Sequence, residues 1–271
     1  MEGLLRGRTV ALDERQREFE HRLDLVIEFG GPGARAFFRE ENGFAGRTFH
    51  ELGRGRDSES HPERITIEDL LAVTLLDVWI PPGAVRRLLG PEGGKVAQDL
   101  ATVRYRNIWD ADDWSESDGG FKGAWATWRR LLRLNGVGPV VAPKIMARLR
   151  PSLIPIRDSV TKTVLGYTRR DNDWKLFGFA LSDEERRREA ERLQAELGSP
   201  RIPLLRVLDA ATWMLGGRSE RIEWALGRLD KPSWGGKPEG TREFQEARHE
   251  FWQRLGETDP WTGRRTRETD R

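Results

Sequence analysis

Residues 134–160 read Leu134-Asn135-Gly136-Val137-Gly138-Pro139-Val140-Val141-Ala142-Pro143-Lys144-Ile145-Met146-Ala147-Arg148-Leu149-Arg150-Pro151-Ser152-Leu153-Ile154-Pro155-Ile156-Arg157-Asp158-Ser159-Val160. Two glycines around one small apolar residue fall between two helical patterns. A connection that tight needs positive φ or close backbone approach, and glycine supplies both without steric cost. The first N–H groups of the following helix then point outward from a terminus with partial positive charge, which suits a phosphate. Pro139 fits the first turn, where its missing N–H costs nothing. Pro143, four residues on, would then break an interior bond, so this helix is expected to start late or to kink. The glycine pair alone is equally consistent with plain core architecture.

Outward from this stretch the pattern is helical. Phe121–Leu134 places Trp125, Trp128, Leu131 and Leu132 at helical spacing. Upstream, Asp13–Glu28 carries Phe19, Leu23, Val26 and Ile27 on one face, and Gly30–Gly33 breaks it. Ala34–Glu41 reads as a short helix and Asn42–Arg56 as a glycine-rich loop, with Asp57–Glu63 a polar linker. Thr66 stands three residues before Asp69 in the manner of a capping box that opens Ile67–Val78. Pro81-Pro82 leads into Gly83–Leu89, Val96–Ile108 reads as helix, and Trp109–Gly120 as an acidic loop. Downstream, Ser182 with Glu185 is read as a capping box for a charged helix to Leu197, and Ile202–Leu215 as a core helix. Arg218–Leu229 and Gly240–Leu255 are read as surface helices. With no internal repeat and no period-two strand, an all-α fold is expected. Residues 1–64 are expected to form an N-terminal helix and loop on the core, and 65–256 the helical core with the hairpin motif at 124–150. Residues 257–271 are expected to be a flexible tail.

Composition removes several chemistries. The 271 residues contain no Cys, which excludes disulfides, thiol nucleophiles, Cys-ligated zinc and iron–sulfur clusters. His21, His50, His61 and His249 show no metal-ligand spacing, so no structural metal is expected. The longest apolar run, Leu70–Leu76, is far shorter than the ~20 residues of a membrane span, and no apolar signal core follows Met1. A soluble, cytoplasmic chain without a membrane partner is the expectation. Net charge is +2, but Gly119–Arg157 contains no acid and carries +8, leaving −6 for the rest. Such a window suits a polyanion surface, and it equally suits solvated helix faces.

Leu134-Asn135-Gly136-Val137-Gly138 resembles the helix–hairpin–helix of the HhH-GPD superfamily of DNA glycosylases, in which a proline-rich loop and an essential aspartate follow. Pro155-Ile156-Arg157-Asp158-Ser159-Val160 resembles that second element, with Asp158 20 residues after Gly138, a separation similar to that in endonuclease-III-like members. The resemblance is specific for about thirty residues and extends weakly over Ile65–Leu215 as helical architecture. The whole chain also resembles an uncharacterised family with the same core. The superfamily implies a two-lobed helical fold with the hairpin and a catalytic Asp158 at the cleft between lobes. It implies that Asn135, Gly136, Val137, Gly138 and Val140 grip the DNA backbone, with a monovalent cation held by hairpin carbonyls and no cofactor required. Lys144 and Arg148, one turn apart, are expected to extend that grip. Strand-nicking relatives carry a lysine two residues after the second hairpin glycine. Here that residue is Val140, which implies a monofunctional glycosylase that leaves an abasic site in an intact strand.

The chemistry asks for little more. Cleaving an N-glycosidic bond develops positive charge on the sugar, which a carboxylate stabilises while it orients water. The base must leave the stack, and phosphate contacts supply affinity and register. Asp158 also suits an N-cap for Ser159–Leu165, a role compatible with catalysis. Candidates for a base pocket are Tyr105, Asn107, Trp109, Asp110, Trp125 and Trp128. Trp125 and Trp128 equally suit core packing, and Asn107–Trp114 equally suits a solvated loop. A polar pocket there points to a bulky modified base, including a viral one, and so to antiviral defence. The expected partner is double-stranded DNA bound by a monomer with no obligate protein partner. Two other classes stay open. One is a non-catalytic hairpin DNA-binding protein. The other is a metal-dependent nuclease (or an RNA-directed enzyme) using Asp110, Asp112 and Asp113.

Overall fold

The capping box read at Thr66 is formed: the Asp69 N–H donates to Thr66 Oγ1, and the Thr66 N–H to Asp69 Oδ2 at 2.9 Å. The helix it starts ends at Thr74 rather than Val78, because Leu75–Asp77 tightens into a turn and Asp77 takes φ 56°. The computed structural model describes residues 2–54, 64–117, 119–198, 201–217, 220–226 and 241–260. Among these the fold is all-α. Its helices are α1 Glu2–Phe29, α2 Gly31–Phe38, α3 Ile67–Thr74, α4 Pro82–Leu88, α5 Pro91–Ala101, α6 Lys122–Leu132 and α7 Val141–Leu149. There follow α8 Ser159–Leu165, α9 Asp173–Ser182, α10 Glu184–Glu196, α11 Leu204–Gly216, α12 Glu220–Ala225 and α13 Thr241–Arg254. None of the described helices is long and apolar enough to cross a membrane. The linker read at 57–63 and most of the tail at 257–271 lie outside the described residues.

Two helices are buried along their whole length or nearly so. Every residue of α7 is buried, and α11 is buried at every position but Trp213. A helix enclosed on all sides is a packing centre. Around α11 gather α1, α2, α8 and α10, while α3 and α6 pack on α7, with α5 against α6 and α4 against α5. One continuous apolar cluster runs through both groups, from Phe19 and Leu23 to Ile145 and Leu208. A smaller one joins Phe37, Phe44, Met214 and Phe244.

Several element boundaries differ from the sequence reading for local reasons. The helix expected at Val96–Ile108 is α5, which starts earlier with Pro91 in its first turn and ends at Ala101. Gly93 is tolerated inside it because a Cβ there would lie 1.8 Å from the Leu88 carbonyl oxygen. Ser182 does not cap the charged helix. It closes α9, donating to the Phe179 carbonyl at 2.8 Å, and Asp183 is the cap, accepting from the Arg186 N–H at 2.8 Å. α13 is not merely a surface helix, since Phe244, Arg248, Phe251 and Trp252 are buried.

The contact between α8 and α11 fixes the orientation of the segment that begins at Asp158. It depends on Gly216, where a Cβ would lie 2.0 Å from Val164 Cγ2. Gly216→Ala is therefore expected to lower unfolding free energy by about 1–3 kcal/mol as α8 is pushed off. Urea denaturation should show a reduced midpoint at unchanged slope.

Candidate nucleic-acid interface

The hairpin is built as its glycines require. Gly136 has φ 81°, and a Cβ on it would lie 2.3 Å from Pro81 Cγ, so conformation and space both demand glycine. Val137 plugs the turn with a buried side chain, and its N–H donates to the Leu134 carbonyl at 3.0 Å. The N–H groups of Val141 and Ala142 both turn back to the Gly138 carbonyl. α7 thus starts at Val141 and Pro143 is its third residue, where an N–H has no helical partner to lose. That resolves the two-proline conflict: the helix starts late and is not kinked. Asn135, Gly136 and Val140 are exposed, and among the described residues the Gly138 and Val140 N–H groups donate to nothing. Two of the amides expected to meet phosphate are available, and the Val137 amide is occupied within the turn.

The two basic residues expected to extend this grip point the other way. Lys144 is 5% exposed and donates from Nζ to the Leu76 carbonyl at 2.9 Å. Arg148 is 3% exposed, pairs with Asp69 at 3.2 Å, and donates to the carbonyls of Phe49 (2.6 Å) and Leu52. The phosphate-contact expectation for this pair is corrected: α7 is enclosed, so its polar side chains are consumed inside. Arg150 behaves likewise, reaching the Leu100 carbonyl at 2.9 Å and the Tyr105 carbonyl at 2.5 Å. The exposed cations near the hairpin are others. Arg133 directly precedes Leu134, and Arg86 and Arg87 lie on α4, which leaves Pro81. None of the three forms an ion pair among the described residues.

Asp158 is the N-cap of α8. Its Oδ1 accepts the Thr161 N–H at 2.9 Å, and its own N–H donates to Thr161 Oγ1 at 3.0 Å. Thr161 Oγ1 is in turn 3.0 Å from the Tyr167 hydroxyl, so the cap is braced from within. The side chain is half-buried, and Oδ2 has no hydrogen-bond donor among the described residues. The carboxylate is therefore positioned by one oxygen and open at the other.

Its surroundings are cationic and partly dry. Burial lowers the pKa of Lys144 below the ordinary lysine value, opposed by the charges of Asp158 and Asp77 and reinforced by Arg206. Arg206, on α11, is pushed down to about 9 by burial, with Asp158 opposing. Its guanidinium donates to Asp209 and to the Gly46 carbonyl (2.9 Å), lies 4.9 Å over the Phe37 ring, and leaves Nε without an acceptor. Beside it His50 is buried with neither ring nitrogen hydrogen-bonded, and burial, Arg206 and Arg148 bring its pKa to about 4. His50 Nε2 lies 3.5 Å from Glu51, but a neutral imidazole makes this a contact and not an ion pair. Arg206, 48 residues after Asp158, and His50, which neighbours Arg206 from 108 residues before Asp158, were invisible at this site in the sequence because they come from distant segments.

The residues read as a base pocket are brought together only in part. Tyr105, Phe121, Trp174, Trp125 and Trp128 form a chain of ring contacts, Trp125 to Trp174 at 4.7 Å. This is packing, although Trp125 Nε1 is buried without an acceptor. Asn107 and Asp110 cap each other across a single 3₁₀ turn, Asn107 Nδ2 donating to Asp110 at 2.9 Å. Trp109, between them, packs on the core. Trp174 is the hub of these contacts, and its neighbour Asp173 accepts from Arg157, which precedes Asp158, at 3.0 Å. Asp112 takes the Tyr105 hydroxyl, and Asp113 accepts the Ser115 N–H at 3.0 Å. Among the described residues no group of three or more His, Asp or Glu side chains is placed so that it could hold a metal ion. A cavity of about 780 Å³ lies elsewhere, lined by Asp24, Glu28, Arg35, Glu189, Glu196 and Glu243 among others. Its carboxylates outnumber its guanidinium groups, the wrong sign for a phosphate.

The family model described as "Family of unknown function (DUF6308)" matches residues 33–216. The chain belongs to this family. The matched span contains the hairpin, α7, Asp158, α8 and Arg206, and leaves out α1 and α13. No curated protein and no solved structure matches the chain.

Two expected outcomes follow from the burial pattern. Arg148→Met should cost about 3–5 kcal/mol in denaturant unfolding, since it strands buried Asp69, whereas Arg133→Ala should change stability by no more than about 0.5 kcal/mol. His50, with its folded pKa near 4 against 6.5, contributes stability that is present above pH 6.5 and lost as pH falls toward 4. His50→Gln should therefore gain on the wild type by about 3 kcal/mol between those limits. Comparing the two proteins at each pH cancels Asp173, whose pKa burial raises to about 6 and whose contribution runs oppositely, lost as pH rises through that value. A wild-type-to-variant difference that stays flat with pH would show that the imidazole is not held neutral.

Proposed function

We propose that the protein is a monofunctional DNA glycosylase that hydrolyses the N-glycosidic bond of an extruded damaged or modified base and leaves an abasic site. One observation carries the reading: Asp158 is locked by Oδ1 into the start of α8 while Oδ2 is free, in the field of Lys144 and Arg206. A carboxylate so fixed can face positive charge developing at the anomeric carbon and orient the attacking water with little reorganisation. The unpaired Gly138 and Val140 amides, with Arg133, Arg86 and Arg87, supply phosphate contacts. The helices gathered on α7 and those gathered on α11 are read as the two lobes, with Asp158 between them. Double-stranded DNA is the partner, and hairpin carbonyls are candidates for a monovalent cation. No lysine stands at position 140, and the Lys144 amine is spent on the Leu76 carbonyl, which supports hydrolysis without a Schiff base.

The test is incubation with duplexes carrying deaminated, alkylated, oxidised, hydroxymethylated or glucosylated bases, followed by alkali. Wild type should give alkali-dependent breaks on at least one of these. Asp158→Asn should reduce them at least about hundredfold while keeping the fold, because asparagine is as good an N-cap as aspartate. Borohydride should trap no covalent protein–DNA adduct. Equal breaks from Asp158→Asn refute the assignment, and direct breaks requiring Mg²⁺ would move it to a nuclease.

A further inference from the structure

Trp79 is 71% exposed, more than any other large apolar side chain among the described residues. A single exposed apolar residue is ordinary on a protein surface, so exposure alone says little. Its placement says more. Trp79 stands in Asp77-Val78-Trp79-Ile80-Pro81-Pro82, a segment held on both sides by the hairpin and its helix. Before it, the Leu76 carbonyl accepts Lys144 Nζ at 2.9 Å. After it, Pro81 sits so close to Gly136 that a Cβ there would be 2.3 Å from Cγ. Between these points Ile80 is buried and Asp77 holds its left-handed turn. The indole therefore projects from a fixed backbone and not from a loose loop.

The surroundings have the right charge for a nucleic acid. Arg86 and Arg87 lie one turn into α4, which Pro81 caps, and Arg133 leads into the hairpin on the other side. All three are exposed and form no ion pair among the described residues, although Arg87 lies within the electrostatic reach of Glu92. A flat aromatic face on a segment that touches the hairpin, with cations on the adjoining helix and free amides in the turn, suits stacking a base while flanking phosphates are held. In a continuous duplex both faces of each base are covered by its neighbours. An indole in a fixed position finds a bare face only where the stack is interrupted.

We propose that Trp79 stacks on a nucleobase face bared at an interruption of the duplex, so that the protein selects interrupted over continuous double strands. The proposal rests on the reading of the hairpin as a DNA grip. It names Trp79 as a binding and positioning residue, separate from Asp158, and assigns Arg86, Arg87 and Arg133 to the phosphates beside it.

The experiment measures anisotropy with three labelled probes: an intact duplex, the same duplex with one tetrahydrofuran abasic analogue, and the single strand. A 2-aminopurine opposite the analogue reports stacking directly. Wild type is expected to favour the interrupted duplex at least about tenfold over the intact one and to quench the 2-aminopurine. Trp79→Ala should lose most of that ratio and the quench, and Trp79→Phe should keep much of both. Because the side chain is exposed, thermal midpoints should stay together, which separates lost stacking from lost folding. A wild-type ratio and quench retained by Trp79→Ala overturn the assignment, as does a wild type that binds both duplexes equally. In either case the hairpin grip survives. A wild type that binds no duplex at all overturns the grip and this proposal together.

Discussion

Arg148 is the constraint on which the rest of the molecule depends. It sits in a helix buried along its whole length and reaches two other chain segments at once: Asp69 at the start of α3, and the carbonyls of Phe49 and Leu52 in the loop 40–54, which contains three short 3₁₀ turns between α2 and α3. Burying a guanidinium is costly unless its charge is matched and its donors are filled, and a pair so matched is expensive to break. One turn earlier Lys144 does the same for the end of α3, and two residues later Arg150 ties the end of α5 to the loop after it. These contacts hold the loop 40–54 and the segment 67–81 against α7. That in turn sets Pro81 on Gly136 and places the hairpin where it is.

The use of arginine as an internal strut explains where the sequence could be read and where it misled. The capping box at Thr66, the all-α class, the glycine turn and Asp158 as a cap are legible because each is a local pattern whose partners lie three or four residues apart. The charge of Gly119–Arg157 is also legible, but its destination is not. Lys144, Arg148 and Arg150 look in one dimension like Arg129 and Arg133, and only the packing of α3 and α6 around α7 separates them. A hint was present in Val141–Leu149, where apolar residues flank Lys144 and Arg148 on both sides, leaving no polar stripe for a solvent face. The Ser182 cap failed for a different reason: Asp183 beside it is an equally good cap, and which of two adjacent caps is used depends on where α9 ends.

In the proposed reaction Asp158 would join fold and chemistry in one group. Its cap role consumes one oxygen and fixes the rotamer, so orientation is supplied by the folding of α8 itself. The brace through Thr161 to Tyr167 and the glycine contact of α11 on α8 then keep that helix start in place. Catalytic groups work best on rigid elements supported from behind, and a capped helix start packed on an enclosed helix meets that requirement.

The cations divide into two populations with separate physical effects. Lys144 and Arg206 are buried near Asp158, so their charge is poorly screened and acts on the carboxylate and on any anion beside it. They cannot touch a phosphate without leaving their internal partners. Arg86, Arg87 and Arg133 are in water, where each contact is weak and sensitive to salt but free to follow a backbone. If the protein is the glycosylase proposed, salt should on this division weaken DNA association far more than it weakens the chemical step. The field at Asp158 belongs to the folded core, while the proposed grip on a strand would belong to the surface.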